Sequence, residues 1–136
     1  MDKVFVDTDI ILDLLSGREP FNQQAVILFS LADRGAVRLF VSSLSFSNLN
    51  YILSKQYSPG QTRKKLLQFK TLVSVLSVTD KIVELSLLSE FKDLEDGMQY
   101  FTATENNINI LLTRNLRDFK SAEISVLTPE QYLKSK

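Results

Sequence analysis

Short, nearly continuous apolar runs alternate along the chain with stretches in which apolar residues recur every three or four positions. The runs KVFV (3–6), RLFVS (38–42), LVSVLSV (72–78), NILLT (109–113) and EISVL (123–127) have strand length. Their unbroken hydrophobicity is that of strands covered on both faces. The segments between them predict helices. In REPFNQQAVILFSLADRG, Phe21, Ala25, Leu28, Phe29 and Ala32 share one helical face, and Gly35 supplies a stop. LSFSNLNYILSKQY predicts a second helix, with Ser43 or Ser45 as candidate N-cap. Ser58, Pro59 and Gly60 break the chain before QTRKKLLQFK, a helix with a basic face. Further helices are expected at 79–90 and over FKDLEDGMQYFTATEN, and Thr128, Pro129 and Gln131 fit the capping box of a last one. This alternation is the signature of βα units around a parallel sheet.

Composition narrows the chemistry. The 136 residues, 44% of them hydrophobic, suffice for one core, so residues 1–136 are read as a single domain. Lys plus Arg and Asp plus Glu both number 16, which removes any broad electrostatic attraction for nucleic acid or an anionic membrane. Cys and His are both absent, so thiol and imidazole chemistry and most zinc or copper ligand sets are excluded. Any metal must be held by oxygen, which favours Mg²⁺ or Mn²⁺. MDKVFVDTD has acids where a signal peptide needs an apolar segment, and no apolar run approaches the roughly 18 residues that span a bilayer. The expectation is a soluble, cytoplasmic protein with no membrane partner.

Three groups of polar residues fall where an open α/β sheet places its ligands, beyond the carboxyl ends of the strands. Asp7 directly follows Val4, Phe5 and Val6, Asp9 lies two residues on, and Asp13 one helical turn further. Asp7 or Asp9 could simply cap the helix IILDLL. An acid ending a buried strand is nonetheless expensive unless something compensates it. Asp13 is read as supporting the first turns of that helix. The second group, KDLEDGMQYFTA, holds Asp93, Glu95 and Asp96, at least one of which is explained by the helix dipole alone. The third is LLTRNLRDFK, in which Thr113 ends a strand and Asn115 and Asp118 lie in the loop beyond. Oxygen groups from three such places repel one another unless a divalent cation lies between them. Such a pocket suits phosphoryl chemistry, in which a metal activates water with no His or Cys.

The ordered set DTDIILDLL, VSSLSFSNLNYIL, DLEDGMQYFTA, LLTRNLRDF and ISVLTPEQYL, over roughly residues 3 to 133, resembles the PIN domain family, the nuclease fold of VapC-type toxins in bacterial toxin–antitoxin modules. The resemblance implies a three-layer α/β/α fold around a central, mostly parallel sheet of four to five strands. It implies a metal-dependent endoribonuclease, with Mg²⁺ or Mn²⁺ as cofactor, RNA as substrate, an antitoxin protein as partner and a homodimer as the assembly. Asp7, Asp96 and Asp118 would be catalytic and would bind the metal together with Asp9, while Asn48, Asp93, Thr113 and Asn115 would support them. Arg114 and Arg117 would meet the RNA backbone. The family's second acid, usually Glu, falls at Asn48, which can coordinate or donate a hydrogen bond but supplies no charge.

Two other functions compete. One is a PIN-like module that binds RNA or protein without cutting, because Asn48 and Asn115 thin the acid set. The other is a haloacid-dehalogenase-like phosphatase with Asp7 as nucleophile and Asp9 as acid, although Ile11 departs from that family's pattern.

Overall fold

The computed structural model describes all residues, Met1–Lys136. In chain order the elements are β1 (Lys3–Val6), α1 (Thr8–Ser16), α2 (Asn22–Asp33), β2 (Arg38–Ser42), α3 (Ser43–Leu53), α4 (Pro59–Lys70), β3 (Ser74–Leu76), α5 (Asp80–Leu87), α6 (Leu94–Glu105), β4 (Ile110–Leu112), a 3₁₀ turn (Leu116–Phe119), β5 (Ser125–Leu127) and α7 (Pro129–Lys134). The strands form one five-stranded sheet in the order β3-β2-β1-β4-β5, and every neighbouring pair is parallel.

Side-chain alternation along the strands builds three layers. Val4 and Val6 of β1 and Leu39 and Val41 of β2 enter one apolar cluster with residues of α1, α2, α3, α4 and α7. Phe5, Phe40 and Leu111, pointing the other way, join Tyr100 and Ala103 of α6 and Phe119. With α5 packed on α6, the sheet lies between two helical layers. β1, central and covered on both faces, is buried at Val4, Phe5 and Val6. The run at 72–78 shortens to β3 because it is an edge strand with one neighbour and only partial burial.

The helix signals act as expected at Thr128 and Gln131, which form the capping box of α7, but two are corrected. Ser58, Pro59 and Gly60, read as a break, open α4 instead, with Ser58 and Gln61 as its capping box and Pro59 as its first residue. Gly35 follows α2 at φ 76°, a conformation glycine adopts without penalty. The cap of α3 is neither Ser43 nor Ser45 but Ser42, whose Oγ accepts from the Ser45 amide at 3.3 Å. β2 passes into α3 with no intervening loop, so the last strand residue is the cap. No helix is long and apolar enough to cross a membrane.

Candidate active site

β1 and β4 are adjacent, and the chain leaves both at the same edge of the sheet. The Asp7 amide donates to Leu112 O at 2.9 Å, which extends the ladder by one residue and fixes where the acid emerges. Asp7 is the N-cap of α1. Its Oδ1 accepts from the Thr8 amide at 2.8 Å and its Oδ2 from Thr113 Oγ1 at 2.9 Å. One carboxylate thus caps α1 and also joins it to the segment after β4. Only 7% of Asp7 is exposed. Burial first, then the Asp9 and Asp96 charges, push its carboxyl up to about 8 against the hydrogen bond from Thr113.

Asp9 Oδ2 collects three donors from the segment after β4: Thr113 Oγ1 at 3.3 Å, the Arg114 amide at 3.1 Å and Asn115 Nδ2 at 3.0 Å. Asn115 thus serves Asp9 as a donor. Asp9 Oδ1 is buried and has no partner. Burial raises the Asp9 carboxyl, opposed by the Arg114 amide and charge.

α6 brings the third acid. Asp93 is its N-cap, accepting from the Asp96 amide at 3.1 Å. Burial, then Asp93, Asp118, Glu95 and Asp9, raise the Asp96 carboxyl to about 7. At Gly97 this end of α6 packs on α5 and the loop after it; a Cβ there would meet the Cβ atoms of Phe91 and Ser86 at 3.4 Å, in ordinary contact. Asp118, exposed on the 3₁₀ turn, shares a groove of about 230 Å³ with Asp93, Asp96, Arg117 and Lys120.

A buried polar network holds α1, α3 and α6 together behind these acids. Gln99, fully buried, accepts from Ser42 Oγ at 2.6 Å and donates to Thr8 Oγ1 at 2.9 Å and Ser45 Oγ at 3.0 Å. Thr8 and Ser45 also share a hydrogen bond of 2.8 Å. Gln99 lies one turn after Asp96, and Thr8 lies between Asp7 and Asp9. The network therefore sets the separation of the acids. Sequence patterning misses Gln99, whose only signal is a polar residue within the buried face of α6.

Three expected roles change. Asp13 does not merely support α1. Buried to 1% exposure, it receives Arg114 Nε at 2.6 Å and Nη2 at 3.1 Å. Arg114, assigned above to the RNA backbone, is engaged in that bidentate pair and stacks over Phe21 at 4.0 Å. Asn48 does not touch the Asp7 group; its Nδ2 donates to Glu95 Oε1 at 2.8 Å.

The acids form no closed cage: no group of three or more carboxylates converges tightly enough to hold a metal as the side chains stand. The donor chemistry nevertheless fits a hard divalent cation. Every available donor is oxygen, one buried carboxylate oxygen is orphaned, and the carboxylates raise one another's proton affinity.

Comparisons with known proteins agree with this architecture. The PIN domain profile matches residues 3–117. Ribonuclease VapC1 of Aquifex aeolicus is 30% identical over 96% of this chain and 93% of its own length. A toxin–antitoxin complex from Klebsiella pneumoniae superimposes with a TM-score of 0.69 at 26% identity, covering 93% of this chain and 97% of that one. VapBC2 of Rickettsia felis, solved bound to a DNA fragment from its promoter, gives 0.67 at 19% identity, covering 92% and 96%. With the profile spanning most of the sequence and the fold reproduced from end to end, the chain belongs to the PIN domain family.

Proposed function

We propose that this protein is a metal-dependent endoribonuclease that acts as the toxin of a toxin–antitoxin module. The observation that carries the reading is that Asp7 and Asp9 meet Thr113 and Asn115 at the carboxyl ends of β1 and β4, while Asp96 and Asp118 line one groove whose Asp96 charge reaches Asp7. The identity to a VapC ribonuclease and the likeness to a toxin–antitoxin complex support the substrate class and the antitoxin partner. The haloacid-dehalogenase alternative falls with the family assignment.

Asp7, Asp9, Asp96 and Asp118 would hold Mg²⁺ or Mn²⁺, which supplies activation of water and neutralisation of phosphate charge. The protein's own groups do the rest. Thr113 bridges Asp7 Oδ2 and Asp9 Oδ2, holding the two carboxylates side by side. Asn115 and the Arg114 amide hold the same Asp9 oxygen. Arg117 and Lys120, which line the groove beside Asp96 and Asp118, attract the RNA phosphates. Burial first, and the neighbouring acids second, lead Asp7 and Asp96 to hold protons near neutral pH, so deprotonation would accompany metal binding.

The test is cleavage of a structured RNA by the purified protein with Mn²⁺ or with EDTA. Cleavage with Mn²⁺ only, lost in Asp7→Asn, is expected. Equal cleavage by wild type and Asp7→Asn would place the activity elsewhere.

A further inference from the structure

We propose that Glu95 is a further carboxylate of the metal pocket on its α3 side, where it would supply negative charge to a hydrated divalent cation, and that Asn48 is the residue that positions it. This rests on reading the acidic group as a divalent-cation site.

α3 (SLSFSNLNYIL) contributes no charged side chain, so the side of the pocket that it borders offers only amides and hydroxyls of its own. Asn48 Nδ2 nonetheless holds Glu95 Oε1 at 2.8 Å, joining residues 47 apart in sequence. One turn back along α3, Ser45 meets Gln99 at 3.0 Å, and Gln99 lies one turn further along α6 than Glu95. The two bonds are successive rungs between helices running in opposite directions. The inner rung ends on Thr8, between Asp7 and Asp9, so the Asn48–Glu95 rung is the next one out from the acids.

Glu95 also has no cationic partner, and its Oε2 is open to solvent. It is partly buried, yet the ion pairs of the protein are Lys81–Glu105, Arg114–Asp13, Lys134–Glu130 and Lys136–Asp2. Asn48 is neutral and satisfies only Oε1, and no hydrogen bond reaches Oε2. A partly desolvated carboxylate adjoining Asp96, with one oxygen held still and the other open, is what a hydrated cation needs in its outer sphere. Mg²⁺ in particular retains several of its waters. α3 supplies no carboxylate on that side, and the one that meets it there comes from α6.

The experiment is Mn²⁺ titration by calorimetry at pH 8 on the full chain, with melting curves confirming folding, for wild type, Glu95→Gln, Asp96→Asn and the exchange Asn48→Glu/Glu95→Gln. Gln can keep the hydrogen bond to Asn48 and remove only the charge. Glu95→Gln is expected to weaken Mn²⁺ binding by about tenfold or more, and the exchange variant to recover most of that loss. Wild-type affinity in Glu95→Gln, with binding lost in Asp96→Asn, would reduce Glu95 to a contact between helices and overturn the proposal. An exchange variant as weak as Glu95→Gln would overturn it equally. Absence of binding in wild type, or wild-type affinity in Asp96→Asn, would instead remove the pocket reading beneath it.

Discussion

Gln99 Nε2 donates to Thr8 Oγ1 at 2.9 Å, a bond that ties α6 to α1 across 91 residues of chain. With Ser42 and Ser45 also engaged, one fully buried amide joins the three helix starts that border the acids. Gln99→Met keeps the bulk but leaves buried hydroxyls short of partners, so a loss of about 1–3 kcal/mol in denaturant unfolding is expected. Mn²⁺ affinity should fall with it, because the separation of Asp96 from Asp7 and Asp9 is no longer fixed. Wild-type affinity in a folded Gln99→Met variant would show that the network only packs.

Arg114 and Asp13 test a different division of labour. Removing the guanidinium strands a carboxylate that is 1% exposed, so Arg114→Met should cost about 3 kcal/mol or more. Arg114→Met/Asp13→Asn should recover part of the loss, which a double-mutant cycle by urea unfolding would read. Arg117→Ala should leave the melting temperature unchanged and weaken RNA binding with a shallower salt dependence. An RNA defect in Arg114→Met that exceeds its loss of folded protein would return Arg114 to the RNA surface.

The acids give the metal-free protein an inverted pH response. Asp7 titrates at about 8 when folded and near 3.8 when unfolded, so between those values the folded state binds more protons than the unfolded one. Stability is then greatest at the acid end of this window and falls as pH rises through about 8; Asp96, raised to about 7, adds in the same direction. With EDTA present, the melting temperature should be lower at pH 8 than at pH 5.5. Asp7→Asn should flatten the difference, and Mn²⁺ should stabilise most at pH 8. A melting temperature that rises with pH in EDTA would contradict the raised carboxyls.

Much of this was legible in the sequence, for local reasons. β1 and β2 read as unbroken apolar runs because helices cover both faces, and the capping box at Thr128 concerns residues three apart. Pro59 and Gly60 disguise the matching box at Ser58 as a break, and Asp93 caps α6 from within a segment that reads as helix. The Arg114–Asp13 pair spans 101 residues, and no periodicity announces it. α6 shows no clean apolar stripe because its buried face includes Gln99 and Thr102, polar residues satisfied only in the folded chain. Asp7 appeared to require a choice between cap and ligand. The geometry gives its two oxygens different work.

The most direct measurement of the central claim is anomalous diffraction from crystals soaked in Mn²⁺. A peak is expected among the carboxylates of Asp7, Asp9 and Asp96, absent from crystals of Asp96→Asn. A fully soaked crystal with no peak there, or with Mn²⁺ only on exposed acids such as Glu105 or Glu130, would contradict that claim.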